Sequence, residues 1–218
     1  MPINITPSKE NILKKIRQAL SESTPLPFPQ SEGPSTVFQP SKQEMEVEFA
    51  EQFTKLQGRF AYCLSVNELK DQLTQLAAER KWNKIFFNVN EGEGKLGELL
   101  QDSLMNRSET KDLAGCDASI TLCEFLVART GSIVLSAAQL SGRTTSVYAP
   151  IHICIAKTSQ LVYDIKDALQ LMKEKYAGKI PSLITFASGP SRTADIEKTL
   201  VTGVHGPKEV YCFLLEGL

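Results

Sequence analysis

Three polar loops carry the side chains with which this chain could do chemistry, and the first is SAAQLSGRTTS, residues 136–146. It follows an apolar run that is typical of a strand, and its Arg143 and Thr144 supply a guanidinium and a hydroxyl beside a flexible glycine. A planar guanidinium forms a two-pronged hydrogen bond with a carboxylate or a phosphate, so this loop is a candidate anion site. The alternative is a solvated loop with a surface arginine.

The second loop is ASGPSRTADIEK, residues 187–198, where Gly-Pro predicts a turn and a serine or threonine can cap a short following helix. Backbone N–H groups at the start of that helix, with Arg192 beside them, would form an anion site. An acidic residue in the first turn would complement the helix dipole, but it would also repel a bound anion. The candidate ligand-binding residues here are Ser188, Gly189, Ser191, Arg192 and Asp195.

The third loop is LVTGVHGPKEV, residues 200–210, in which His205 stands between two glycines and next to Gly206. A histidine in such a turn suits general acid–base chemistry, and the alternative is that its ring only bonds loop carbonyls. His152 begins a predicted strand and is interpreted as structural. We expect the second and third loops to converge, so that Arg192 holds the carboxylate of a small anion and His205, the candidate catalytic residue, contacts its hydroxyl.

Composition excludes several classes of protein. The 24 Lys and Arg residues balance 25 Asp and Glu, and a non-specific nucleic-acid binder would show a basic excess. No apolar stretch reaches ten residues and the first residues hold no apolar leader, so we expect a cytoplasmic protein that does not cross a membrane. The five cysteines lack C-x-x-C spacing and no dinucleotide or P-loop fingerprint is present, which predicts buried thiols and no cofactor or metal of its own.

Strand and helix patterns alternate from residue 41 onward, which predicts an α/β domain with a mostly parallel sheet and flanking helices. Strands are predicted at 59–66, 84–89, 131–137, 151–156, 182–188 and 209–216, and helices at 45–56, 69–77, 96–104, 120–128 and 164–176. Residues 1–40 predict a separate arm, an amphipathic helix on a proline-rich tether. Such an arm docks on its own domain or on a second subunit, which would make a homo-oligomer.

The segment SGPSRTADIEKTLVTGVHGPKEVYCFLLE, residues 188–216, resembles the C-terminal signature of the lactate utilisation protein C family, the LUD domain. ITLCEFLVARTGSIVLSA followed by SGRTTSVYAPIHICIA resembles the central region of that family. Two positions depart from its pattern: Arg129 stands where an acidic residue is frequent, and Leu122 where a glycine is frequent. The resemblance implies a fold similar to the NagB/RpiA/CoA-transferase superfamily. It also implies a role in oxidising L-lactate to pyruvate together with iron–sulfur partner proteins.

Three functions remain open from the sequence. The first is a non-redox component of the lactate-oxidising system that binds a small carboxylate or another anion, because side chains alone do not take up the electrons. The second is an independent enzyme acting on a carboxylate, phosphate or thioester, with Glu124 as the acidic residue of the central motif, although its apolar neighbours predict a helix face. The third is a regulatory or structural partner that uses the tethered helix. The sequence does not decide whether the chain is itself an enzyme.

Overall fold

The computed structural model describes residues 7–21, 43–87, 113, 115–193, 201–203 and 205–217. The chain falls into two compact units, Met1–Gln39 and Pro40–Leu218. The predicted proline-rich tether, the predicted helix at 96–104 and residue Asp195 lie outside the described residues. In the first unit, helix α1 (Pro7–Ser21) leaves Ile12 and Ile16 exposed one turn apart.

The second unit alternates helices and strands along the chain. In chain order its elements are α2 (Met45–Lys55), β1 (Arg59–Cys63), α3 (Val66–Glu79), β2 (Ile85–Phe87), β3 (Ala118–Leu122), β4 (Phe125–Val127), β5 (Ser132–Ser136), α4 (Thr145–Tyr148), β6 (Ile151–Lys157), a 3-10 turn (Thr158–Gln160), β7 (Leu161–Val162), α5 (Ile165–Lys175), β8 (Ile184–Ala187), β9 (Arg192–Thr193), β10 (Val201–Thr202) and β11 (Glu209–Leu215).

A five-stranded sheet of order β1-β11-β6-β3-β2 forms the centre, and every neighbouring pair in it is parallel. Its central strands β6 and β11 are buried almost throughout, as their apolar sequences require when both faces of a sheet are covered. Successive residues of β6 point to opposite faces, so Ile153 and Ile155 pack in one core cluster while Cys154 and Ala156 pack in the other. The prediction of an α/β fold with a mostly parallel sheet is confirmed.

A second sheet of order β7-β4-β5-β8 packs against one face of the first. Strand β5 pairs antiparallel with both β4 and β8. The prediction of a helix over residues 120–128 is therefore wrong, because this apolar run forms the end of β3, a sharp link and all of β4. A short run that is apolar on every side suits a strand buried on both faces as well as a helix, and pairing with β5 and β6 decides between them.

Helices cover the outer faces of the two sheets. Helix α3 packs through Leu69 and Leu73 on the free face of the parallel sheet, and α5 packs through Ala168 on the outer face of the second sheet. Helix α2 inserts Phe49 and Phe53, stacked with ring centroids 5.4 Å apart, into the core between the sheets. All five cysteines are buried and none forms a disulfide. No helix among the described ranges is long and apolar enough to cross a membrane.

Candidate functional site

A cavity of about 510 Å³ opens where the parallel strands β3 and β6 end. Its wall is built from the last residues of those strands and the residues that follow them, from the loop after β5 and from the end of α5. The lining residues are Thr121, Leu122, Cys123, Glu124, Ala138, Gln139, Leu140, Ser141, Ile155, Ala156, Lys157, Gln160, Lys175 and Tyr176. Ligands of open α/β sheets bind beyond the carboxyl ends of the strands, so this is where the fold predicts a site.

A buried carboxylate is the centre of this wall. Glu124 is 2% exposed and lies in the link between β3 and β4, where its backbone N–H donates to the Val134 carbonyl at 2.8 Å. Its Oε1 accepts hydrogen bonds from Ser136 Oγ at 2.5 Å and from Tyr176 Oη at 2.7 Å. Its Oε2 accepts one from Lys175 Nζ at 2.7 Å.

These donors decide the ionisation of Glu124. Burial alone raises the pKa of the carboxyl, but hydrogen bonds from Lys175, Ser136 and Tyr176 stabilise the carboxylate and bring its pKa below the ordinary value. The pKa of Lys175 is affected by the same contact: burial lowers it, and the bond to Glu124 outweighs that effect and raises it. The site therefore holds an ionised carboxylate bonded to an ammonium group.

Helix α5 supplies Lys175 from its last turn and Tyr176 from its C-cap, and the start of this helix is firmly anchored. Asp164 caps it and forms a reciprocal capping box with Asp167. Asp164 also accepts two bonds from the Arg129 guanidinium, at 2.8 and 3.1 Å, and these bonds lower the pKa of its carboxyl. Arg129, one of the departures from the family pattern, thus ties the start of α5 to the turn after β4.

Gln160, one of the cavity-lining residues, connects the end of β6 with the link that follows β3. Its Nε2 donates to the backbone carbonyls of Cys123 at 2.6 Å and Glu124 at 3.2 Å, while its Oε1 accepts the Lys157 N–H at 2.8 Å. One side chain thereby fixes the position of Glu124 relative to Lys157. Nearby, Thr121 Oγ1 lies 2.8 Å from Nε2 of His152, a buried ring whose pKa burial lowers to about 4.

The second and third loops of the sequence analysis meet each other. The Ser191 N–H donates to the Pro207 carbonyl at 3.0 Å, and a Cβ added to Gly206 would lie 2.9 Å from Ser191 Cβ. The Lys208 N–H, which follows Pro207, donates to the carbonyl of Pro150 just before β6. Both loops therefore lie at the amino ends of the parallel strands, whereas the cavity lies at their carboxyl ends. The histidine loop lies at the amino end of β11, the strand that it precedes.

The side chains of these loops have other contacts in the structure. The Arg192 guanidinium donates to the Leu56 carbonyl and His205 is exposed. Ser188 Oγ lies 2.7 Å from Ser132 Oγ. Gly189 has a φ of +84° and packs so closely on the Leu56 carbonyl that a Cβ would lie 2.5 Å from its oxygen. The expected helix cap after Ser191 gives way to strand β9, and the remainder of that segment lies outside the described residues.

The first loop contributes to the cavity through a different part than expected. Ser141 lines the cavity, whereas Arg143 is exposed and donates to Ser182 Oγ at 2.6 Å, and Thr144 is an exposed residue at the start of α4. The sequence singled out Glu124 only as the acidic residue of the central motif, on a predicted helix face. It did not indicate the other site residues, which are Ser136, a donor to Glu124, and the cavity-lining Lys157, Gln160, Lys175 and Tyr176. One sequence signal pointed to this site: a single carboxylate inside an apolar run. Burying a carboxylate is costly unless the folded chain supplies hydrogen-bond donors for it.

The likeness to known proteins establishes first the fold and then the family. The chain superposes with a TM-score of 0.57 and 17% identity on the crystal structure of a DUF162 family protein from Deinococcus radiodurans, covering 80% of this chain and 98% of the other. Residues 47–215 match the LUD domain family, and the chain belongs to this family. The resemblance predicted from the sequence is thereby confirmed.

Two relatives align over most of their length. Lactate utilization protein C of Anoxybacillus flavithermus is 30% identical over 182 residues, covering 79% of this chain and 81% of the relative. An uncharacterised protein of Neisseria meningitidis is 25% identical over 226 residues, covering 93% and 91%.

Proposed function

We propose that this protein is a non-redox component of a lactate-utilisation system, which oxidises L-lactate to pyruvate with iron–sulfur partner proteins, and that it binds a small carboxylate in the Glu124 cavity. The name of the A. flavithermus relative supports the lactate-utilisation role. The observation that carries the binding proposal is the cavity itself, at the carboxyl ends of β3 and β6.

The charges on the cavity wall favour an anion. Two lysines, Lys157 and Lys175, and one glutamate line it, so the described wall has an excess of one positive charge. Its volume of about 510 Å³ lies within the usual range for small-molecule sites, about 300–1,000 Å³. A carboxylate that enters would meet ammonium donors in a partly apolar surrounding, where charge-assisted hydrogen bonds are strong.

The division of labour follows from the chemistry of the reaction. Converting lactate to pyruvate breaks the C2–H and O–H bonds and forms a C=O bond, so that two electrons and two protons leave the substrate. Protein side chains do not accept such electrons, and redox cofactors do. The proposal assigns electron transfer to the iron–sulfur partners, and binding or presentation of the acid to this chain.

Calorimetry on the full chain tests the binding site. L-lactate should bind the parent protein, and Lys157→Met should weaken binding about ten- to a hundredfold, as expected when one charge-assisted contact of about 1.5–3 kcal/mol is lost. Lys173→Met is the control for the loss of a lysine charge, because Lys173 borders a different groove. Arg192→Ala tests the competing anion site of the sequence analysis, and weakening by this variant alone would move the site to the Ser191–Gly206 loops.

The iron–sulfur partners need a separate experiment. The tagged chain, purified anaerobically from cells that produce the whole system, should bring down proteins with an iron–sulfur absorption spectrum. The chain purified by itself should lack that chromophore. A stoichiometric brown chromophore on the isolated chain would contradict the non-redox assignment.

One observation favours a second function, acyl transfer through Glu124. Glu124 is one of the residues around the cavity and its carboxylate is ionised, but its side chain is 0% exposed and would have to turn into the cavity to act as a nucleophile. It would attack the carbonyl carbon of a thioester, form an acyl anhydride and release the thiolate, which takes up a proton. Three hydrogen-bond donors on the carboxylate weaken its nucleophilicity. Incubation with an acyl-CoA should then add the acyl mass to the parent but not to Glu124→Gln, and no adduct in either would remove this function.

A further inference from the structure

We infer that the Glu124 cavity takes carboxylic acids larger than lactate, with an apolar chain that packs on the loop after β5. This inference rests on the proposed function, because it assumes that the cavity binds a carboxylate. It adds the class of acid that fills the cavity and the side chain, Leu140, that favours this class.

The cavity is much larger than lactate. Its volume is about 510 Å³. A water-sized group takes up about 30 Å³ in a liquid, so the six non-hydrogen atoms of lactate fill at most about 180 Å³. A bound lactate would leave more than half of the cavity to solvent, which is room for a longer chain or a ring.

The charges that a ligand can reach on the described wall are cationic. Lys175 lines the cavity and its side chain is 56% exposed, whereas the Glu124 carboxylate that bonds its ammonium group is fully buried. Lys157, at the end of β6, also lines the cavity and is half-buried. A ligand therefore meets ammonium groups rather than the carboxylate of Glu124, and its own carboxylate is the group that they hold.

The loop after β5 adds an apolar wall that solvent reaches. Leu140 is 42% exposed and lines the cavity together with Ala138, which is also exposed, and Leu122, which is half-buried at the end of β3. A single exposed leucine on an open surface is normal, but a leucine in a cavity wall can be covered by a ligand. An apolar group that covers it is favoured, because both surfaces are removed from water.

Hydrogen bonds to Ser136 hold this loop in place. The Ser136 N–H donates to Gln139 Oε1 at 3.0 Å, and the Gln139 N–H donates to the Ser136 carbonyl at 3.2 Å. The Gly142 N–H donates to the Gln139 carbonyl at 2.9 Å and closes the turn that carries Leu140. Because Ser136 also bonds the buried carboxylate of Glu124, the apolar wall is anchored in the core, and a ligand does not have to order it.

An acid with an apolar chain complements this arrangement. Its carboxylate accepts from an ammonium group, as that of a short acid does, and its chain covers Leu140 and Leu122. Each fully buried CH₂ group contributes about 0.8 kcal/mol, which is about fourfold in affinity. Pentanoate has two CH₂ groups more than propionate and should therefore bind about ten- to twentyfold more tightly.

Titration calorimetry of the full chain with propionate, pentanoate and L-lactate tests the inference. The parent should bind pentanoate about ten- to twentyfold more tightly than propionate, and L-lactate reports on the proposed function. Leu140→Ala should at least halve the ratio of the two affinities, because it removes the side chain that the longer acid covers. Leu169→Ala is the matched control and should keep the ratio, since Leu169 is also 42% exposed but borders a different groove.

The outcomes separate this inference from the proposed function. Equal affinity for propionate and pentanoate in the parent would overturn the inference and leave carboxylate binding intact. Failure of all three acids to bind would overturn both. A ratio that Leu140→Ala leaves unchanged would also overturn the inference, because the chain would then pack elsewhere. The comparison of acids in the parent protein needs no variant.

Discussion

Ser136→Ala should cost more stability than its small size suggests, because the serine hydroxyl bonds a buried carboxylate. Ser136 Oγ donates to Glu124 Oε1 at 2.5 Å, and both residues are 2% exposed. Hydrogen bonds to charged groups contribute about 1.5–3 kcal/mol, against about 0.5–1.5 kcal/mol for neutral pairs. The expected loss in the free energy of unfolding is therefore about 1.5–3 kcal/mol.

The same β-strand supplies a matched control. Ser132 is also 2% exposed and four residues earlier in β5, but its hydroxyl contacts the hydroxyls of Thr130 and Ser188. Ser132→Ala should cost about 0.5–1.5 kcal/mol. Lys175→Met should cost about as much as Ser136→Ala, because it removes another donor from the carboxylate of Glu124, whose side chain is 0% exposed.

Urea denaturation of the parent and the three variants at pH 7 measures these differences. The pH dependence gives a second test. The pKa of Glu124 is lower in the folded protein than its ordinary value of 4.5, so the unfolded chain takes up the proton first and this stabilisation is lost as the pH falls below about 4.5. The cost of Ser136→Ala should shrink over the same range. If Ser136→Ala costs no more than Ser132→Ala at pH 7, the reasoning about a charged, buried Glu124 is refuted.

Three further predictions concern other parts of the chain. Burial lowers the pKa of His152 from 6.5 to about 4, so the unfolded chain is protonated first and stability should fall by about 3 kcal/mol between those pH values. Urea titrations of a His152→Gln variant should lack that decline. Gly131→Ala should lower the free energy of unfolding by about 3 kcal/mol, since φ is +57° and the new Cβ would lie 2.5 Å from the Phe53 nitrogen. Gly178→Ala should lower it by only about 1 kcal/mol, because φ is +80° but the space around the new Cβ is open. Thermal melts of the two variants measure the difference. Deletion of residues 1–40 should abolish self-association or partner binding in sedimentation and pull-down assays and leave the second unit folded, and unchanged association would contradict a docking role for α1.

Much of the fold could be predicted from local sequence patterns. Strands β6 and β11, for example, are buried on both faces, and their sequences are therefore apolar on both faces. The same reasoning failed at residues 120–128, where an equally apolar run breaks into two strands at Glu124. Nothing local distinguishes a buried helix from two buried strands in a run of this length. The difference comes from pairing with residues 132–134 and 152–155, which only the folded chain reveals.

The candidate site was harder to predict for a related reason. Glu124 meets Ser136 and Lys175 from 12 and 51 residues away, so no short motif records their association. The sequence draws attention instead to glycines, prolines and exposed polar side chains, which mark the Arg192 and His205 loops. Those features also serve backbone packing, as the close approach of Gly189 to Leu56 demonstrates.

The central claim is that the Glu124 cavity binds a small carboxylate, and a crystal structure of the full chain with L-lactate tests it most directly. Density for the acid is expected between Lys157 and Lys175. Density between Arg192 and His205, with the cavity holding only water, would contradict it.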